Sequence, residues 1–456
     1  MNKTLTETGL TRRNFLKCSA VGAVSLCAPL FVPASLFGKS APSNRINVGV
    51  IGCGNQSTVD IPEWLKLDDC QVVAVCDVNK ASYGYKTPKQ FLGRDPQRDF
   101  VNRFYANRTG NAGWKGCAAC TDFRDVLRRK DIDAVAIITP DHWHAIMTIQ
   151  AAKAGKDIYC QKPLSLTVED GQMMVKAVRR YGRILQTGSQ WRSNKLIRRA
   201  CELVRNGRIG TVRSIETQVA YNNFEGPGPG WKPMPVPEGF DYDMWLGPAP
   251  EAPYHADRCL YKFRFIHDYS GGQTTNFGAH SNDVAVWALE PKNTGVVEVE
   301  DLGAKFPPEG SLFNTATEVA FRVKLANGVE IVCKTQKPGF GIRWEGTDGW
   351  LSVGYNKIES SPAAAAESEL GGSDIRLPVS DDHFRDFIDA VKARRDPIEP
   401  VEDGHRTATL CHLGNIAMRL RRKIQFDPQK EIIKNDKEAS AMLRTSVRAK
   451  WRRYLR

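Results

Sequence analysis

From Asn44 onward the chain is punctuated by short apolar runs rich in β-branched residues. "INVGVIG", "CQVVAVCD", "DAVAIITP" and "KDIYCQKP" occupy residues 46–52, 70–77, 133–140 and 156–163. Their spacing, about the length of a crossover helix, predicts a parallel, doubly wound sheet with helices on both faces. Beyond about Leu164 the period changes. A helix is predicted over Val168–Tyr181, with Thr167 as its cap and Asp170 three residues on in the capping-box position. A strand-like "RILQTGSQ" and an amphipathic helix ending at Gly207 follow. Alternating segments then appear at 211–221, 317–336 and 349–355, with Asn327-Gly328 as a hairpin turn between two of them. These predict an α+β region with a mostly antiparallel open sheet.

Composition adds little to this picture. With 41% hydrophobic and 25% charged residues the chain has the balance of an ordinary globular protein. The net charge of +13 is concentrated toward the ends. The closing "RTSVRAKWRRYLR" reads as a solvated basic tail (432–456) and no nucleic-acid partner is expected. At the other end, "TRRNFLK" precedes a modest apolar stretch, Cys18 to Phe37. Paired arginines, then Phe15 and Leu16, then small and apolar residues are the order of a twin-arginine signal, assigned to residues 1–41. Export through that route to the periplasm is therefore expected. Cys53, Cys76, Cys160 and Cys333 sit in strand-like runs, as small core residues do. Cys117 and Cys120 form a lone C-x-x-C with no second pair at zinc spacing, and no metal site is expected.

Candidate chemistry begins at the end of the first run. "GVIGCGNQS" reads as a glycine-rich strand–helix turn with Gly52 and Gly54, and with Ser57 where a third glycine is usual. Such a turn brings backbone N–H groups to a pyrophosphate at a helix N-terminus. Asp77 ends the second run about 20 residues on, where an acid accepts from ribose hydroxyls and repels a 2′-phosphate, favouring NAD over NADP. The turn, the acid and the alternation together predict a Rossmann domain over 44–164; the C-terminal substrate domain over 165–431 takes its far boundary from a family resemblance. "TPDHWHA" follows the third run, at the sheet edge where ligands bind. There Thr139, Pro140, His142 and His144 are expected against the nicotinamide end.

The glycine loop, "TPDHWHAIMTIQAAKAGKDIYCQKP" and "SGGQTTNFGAHSNDVAVWAL" resemble the glucose–fructose oxidoreductase/inositol dehydrogenase/MocA family. The likeness runs from about Asn44 to about Glu431. It implies that Lys162, in Gln161-Lys162-Pro163 where the family writes E-K-P, lies beside the nicotinamide and the reacting hydroxyl. It implies that Asn276, His280 and Asp283, spaced i, i+4 and i+7, form the second half of the site. In that scheme His280 takes the hydroxyl proton and Asp283 orients it, while Asn276 replaces the family's aspartate. Asn55, Gln56, Gln161 and Gln190 join the cofactor site, and Arg192, Trp231 and Tyr269 the substrate site. A homo-oligomer through the C-terminal sheet is implied as well.

The expected activity is an NAD(P)-dependent oxidoreductase acting on a secondary hydroxyl of a sugar, glycoside or cyclitol. Two alternatives remain at this level. One is a glycosidase working by transient oxidation at C3 and elimination, with His280 or Tyr269 as the additional base. The other is a non-catalytic dinucleotide- or sugar-binding subunit.

Overall fold

The structure is a computed structural model and describes residues 44–220, 225–290, 294–337 and 341–456. The twin-arginine segment lies outside the described residues. Six parallel strands form the first sheet: β1 (Ile46–Ile51), β2 (Cys70–Cys76), β3 (Ala118–Cys120), β4 (Ala134–Ile137), β5 (Asp157–Cys160) and β6 (Leu185–Thr187). Their order is β3-β2-β1-β4-β5-β6. Helices cover both faces, which is why β4 and β5 are buried at every position and read as unbroken apolar runs. Helix α1 (Ser57–Lys66) returns from β1 to β2, and α2 (His144–Lys153) from β4 to β5. Thr167 caps the next helix, α3 (Val168–Arg180), its hydroxyl accepting from Asp170 N at 3.1 Å.

β6 corrects the boundary drawn at Leu164. Leu185 pairs with Ile158 and Thr187 with Cys160, so the parallel domain continues to about residue 189. The strand expected in "RILQTGSQ" is there, but three residues with a polar centre, Gln186, carry too little pattern to say which sheet they join.

The second sheet has nine strands in the order β13-β12-β11-β7-β10-β9-β8-β14-β15. They are β7 (Val212–Val219), β8 (Val296–Asp301), β9 (Ala320–Leu325), β10 (Glu330–Thr335), β11 (Ile342–Gly346), β12 (Trp350–Val353), β13 (Ile358–Ser361), β14 (Ile424–Asp427) and β15 (Ile432–Ile433). Only β7 and β10 pair in parallel; the other pairs are antiparallel. Asn327-Gly328 turns β9 into β10 as its sequence predicts, with Gly328 at φ +86°. Phe321, Val323, Ile331 and Trp344 point from this sheet into a core shared with helices Gly278–Trp287 and Val401–Leu420.

Two late segments return to the parallel domain. Helix His383–Ala393 lays Phe384 and Phe387 against Trp64, with ring centroids 4.8 Å and 5.6 Å away. Such edge-on aromatic pairs contribute about 0.5–1.5 kcal/mol each beyond their burial. The C-terminal residues are also folded, contrary to the solvated tail expected. β15 pairs with β14. Trp451 is buried with its ring 4.8 Å from that of Trp143, and the Arg124 guanidinium lies over the Trp451 ring, 5.6 Å from its centroid. One buried tryptophan anchors a segment whose charges face outward.

Candidate active site

The carboxyl ends of β2, β1, β4 and β5 open into a cavity of about 370 Å³, at the point where strand order reverses between β1 and β4. Ligands bind at that position in open parallel sheets. Gly52, Gly54, Asn55 and Gln56 line it from the β1 turn, Asp77 from β2, Thr139 and Pro140 from β4, and Gln161 and Lys162 from β5. Gln190 lines it too, donating to the Tyr159 hydroxyl at 3.0 Å. A Cβ on Gly52 would stand 2.5 Å from the Ile138 carbonyl oxygen, and the residue's φ of +104° excludes other side chains.

Asp77 accepts from Cys53 N at 2.6 Å and from Asn79 N at 2.8 Å, one bond to each oxygen. Burial pushes its carboxyl up from the ordinary range, against those two bonds and the nearby Arg94. An ionised carboxylate has about four acceptor positions, so acceptor capacity remains for ribose hydroxyls. The bare glycine turn and this acid fit a dinucleotide. Ser57 does not line the cavity. Its hydroxyl donates to the Gly54 carbonyl at 2.7 Å, bracing the turn from behind.

At the other end of the cavity the second domain contributes Trp191, Asn276, Phe277 and His280. Lys162 Nζ donates to Asn276 Oδ1 at 2.8 Å, and Asn276 Nδ2 donates to Gln273 Oε1 at 2.9 Å. Burial, then the Arg264 charge, lower Lys162 to about 8, against the pull of Asp141 and Asp60. The carboxylate absent from residue 161 stands directly behind it. Gln161 Nε2 donates to Asp60 Oδ2 at 2.7 Å, and burial pushes Asp60 up to about 6. His280 stacks on Trp191, centroids 4.5 Å apart and 24° from parallel, and its buried Nδ1 has no hydrogen-bond partner. Burial, then Lys162 and His383, hold its imidazole well below the ordinary value.

Several predicted site residues do other work. Asp283 does not orient His280. It takes a two-point contact from Arg192, whose Nε and Nη2 donate at 2.9 Å and 2.6 Å, and it accepts from Thr407. Arg192 also reaches Asp403 at 2.7 Å and is buried, so it is an interior tie and not a substrate contact. Asp283 follows His280 by three residues on the helix Gly278–Trp287, but its carboxylate is taken up by Arg192 and Thr407.

His142 donates to the Trp245 carbonyl at 3.0 Å and packs on Trp245 and Tyr269. His144 bridges Thr139 O and Pro163 O, each at 2.9 Å. Carbonyl oxygens only accept, so this ring donates from both nitrogens and carries a positive charge. Burial opposes that charge, but Cys160, Asp141 and the Thr139 carbonyl outweigh it and raise the group to about 9. Neither histidine lines the cavity.

Tyr269 is fully buried, its hydroxyl accepting from Arg258 at 3.2 Å, and Trp231 stacks under the same arginine at 5.2 Å. The cavity wall holds instead Tyr85, Phe240, Tyr261 and Arg264, which no sequence pattern singled out, and Asp141 from within "TPDHWHA". The aromatic density of "RCLYKFRF" was the available signal for Tyr261 and Arg264.

Residues 46–189 match the oxidoreductase family's NAD-binding Rossmann fold, and residues 212–453 match its C-terminal alpha/beta domain. The chain belongs to the Gfo/Idh/MocA family. Among relatives, it is 34% identical over 289 residues to the 1,5-anhydro-D-fructose reductase of Ensifer adhaerens, 62% of this chain and 77% of that one. It is 30% identical over 184 residues to a glycosyl hydrolase family 109 protein of Shewanella baltica, 37% of each chain. An uncharacterized oxidoreductase of Bacillus subtilis, YrbE, is 40% identical over 96 residues, 21% of this chain and 28% of that one. The matched stretch is thus well under two thirds of the length of the latter two. This family member shares its fold with the WlbA dehydrogenase of Bordetella pertussis, solved with NADH and UDP-GlcNAcA, at a TM-score of 0.58 and 18% identity over 84% of this chain and 99% of that one. Aldose-aldose oxidoreductase of Caulobacter crescentus gives 0.56 and 19%, covering 84% and 100%.

Proposed function

We propose that this chain is an NAD-dependent oxidoreductase moving hydride between a bound nicotinamide cofactor and a secondary hydroxyl of a sugar, glycoside or cyclitol. The observation that carries the reading is the Lys162–Asn276 contact at the far end of the cavity from Asp77. It joins a sheet-edge lysine to the second domain where a substrate carbon would meet the cofactor. When bound, the dinucleotide supplies a hydride acceptor or donor. The protein's own part is the proton. In oxidation the hydroxyl proton passes to the neutral Lys162 amine as the carbon loses hydride, leaving a carbonyl and an ammonium group.

The basicities favour this division over one in which His280 is the base. A group near 8 is matched to proton exchange close to neutrality, whereas an imidazole held well below its ordinary value is a poor acceptor. His280 then serves as a neutral hydrogen-bonding partner of the substrate oxygen. Asn276 fixes the lysine. Asp77 supports NAD over NADP, since a fixed carboxylate opposes a 2′-phosphate.

The similarity to a glycosyl hydrolase family 109 protein favours a second reading, a redox-neutral glycosidase that oxidises, eliminates and reduces in one cycle. Tyr269 is unavailable as its additional base, being buried, hydrogen-bonded to Arg258 and pushed up to about 12 by burial. We also propose export by the twin-arginine route, on the strength of "TRRNFLK", with the cofactor staying bound. Denaturing the purified protein and identifying the released dinucleotide tests the cofactor. Following its absorbance against a panel of sugars and aryl glycosides separates the activities. Keto-sugar accumulation supports the dehydrogenase, aglycone release without added NAD supports the glycosidase, and cofactor binding with neither overturns both.

A further inference from the structure

The reacting end of the cavity holds a cation that the proton chemistry does not use. Arg264 lines the cavity, and its charge acts on Lys162 more strongly than any other charge does. Its Nε donates to the Tyr261 carbonyl at 2.9 Å, and its guanidinium carbon sits 3.9 Å from the Tyr261 ring centroid and 5.4 Å from that of Phe263. Those contacts use one edge and one face of the group. Among the described residues, Nη1 and Nη2 have no recorded hydrogen bond or ion pair. A guanidinium held by stacking, with its two-nitrogen edge unspent, is a fixed fork for two oxygens.

Withdrawing two cations from water is costly unless an anion meets them. Asp141 shares this end of the cavity but forms no ion pair with either; its Oδ2 is buried without a partner, and burial raises its carboxyl. Its charge bears on the class of ligand. One carboxylate of a substrate satisfies the Arg264 fork with a single negative charge, whereas a phosphate dianion would bring two into the cavity that Asp141 also lines. Lys162, on the same wall, is then left for the hydroxyl.

The geometry points to an acidic sugar as substrate: a uronic acid or uronide whose carboxylate is taken by the Arg264 fork while its reacting hydroxyl lies at Lys162. This rests on the oxidoreductase reading above and narrows it. The test is cofactor reduction by the NAD-loaded protein with D-glucuronate, D-galacturonate and their methyl glycosides, each paired with its neutral counterpart. The expected result is a kcat/KM at least about tenfold higher for the acids. Arg264→Gln should raise KM for the preferred acid by about 10- to 100-fold, with a smaller change in kcat, and collapse the preference over the neutral sugar. Arg264→Lys should restore part of it, since the charge returns without the fork. Equal or better use of neutral sugars, with a ratio unmoved in Arg264→Gln, overturns the acidic substrate and leaves the oxidoreductase standing. Release of the dinucleotide by Arg264→Gln assigns the cation to the cofactor and also overturns it. Failure of both sugar classes to reduce the cofactor overturns the oxidoreductase reading and this inference with it.

Discussion

Lys162 and Asn276, 114 residues apart in the chain, meet at 2.8 Å between Nζ and Oδ1. The first extends from the edge of the parallel sheet and the second from a short helix of the other domain. One hydrogen bond therefore fixes the reacting amine with respect to both walls of the cavity. Its removal separates chemistry from binding. Lys162→Met keeps an apolar stem of similar length, and turnover should fall by about two to four orders of magnitude while the dinucleotide stays bound.

The same pair sets a pH dependence. Oxidation needs the neutral amine, so its rate should rise as pH passes about 8. Asn276→Asp places a carboxylate on the ammonium form, which it stabilises, and the midpoint should move to higher pH. A profile that does not move in this variant would show that another group exchanges the proton.

Asp77 holds two backbone N–H groups and faces the cavity. Asp77→Ala should weaken NAD binding by about 10- to 100-fold, the worth of hydrogen bonds to a charged group, and relax discrimination against NADP. Titration of the apoprotein with both dinucleotides measures this. Equal affinity of the unmodified protein for the two would remove the role given to the carboxylate.

His144 links the loops after β4 and β5 as a doubly donating imidazolium. Its folded value of about 9 lies above the ordinary 6.5. The stability this adds is fully present below about pH 6.5, declines above it, and is gone once pH has passed about 9. His144→Gln keeps one donor group and should cost about 1.5–3 kcal/mol at pH 6. The penalty should shrink in alkali, which denaturant unfolding at several pH values would reveal.

Arg12 and Arg13, outside the described residues, carry the export proposal. Changing both to lysine should strand the precursor in the cytoplasm, where fractionation would find it folded and loaded with cofactor. Undiminished export would assign the protein to another route.

What the sequence made legible was local. The glycine turn, Asp77, the capping box at Thr167 and the Asn327-Gly328 hairpin each depend on residues a few positions apart, and each stands where its pattern puts it. Lys162 and Asn276 also line the cavity. What failed was long-range. Arg192 and Asp283 are 91 residues apart, and nothing local in either shows that each is the other's partner. Spacing along the helix put Asp283 within reach of His280, but it could not show that Arg192 would claim the carboxylate first. Trp451 was hidden by the arginines around it. "RILQTGSQ" reads as a strand, but nothing in it says that β6 joins the parallel sheet.

The packing of Trp64 on Phe384 and Phe387, and of Trp143 on Trp451, also orders events in time. A ribosome finishes the dinucleotide-binding strands long before it makes either covering segment. Until residues 383–393 and then 449–455 emerge, the nascent sheet presents two bare aromatic surfaces, a condition that invites chaperones. The dinucleotide-binding half is thus no portable cassette. Excising residues 46–189 would yield a fragment with both of those surfaces uncovered, and the cleft it frames matures only once those late segments have left the ribosome.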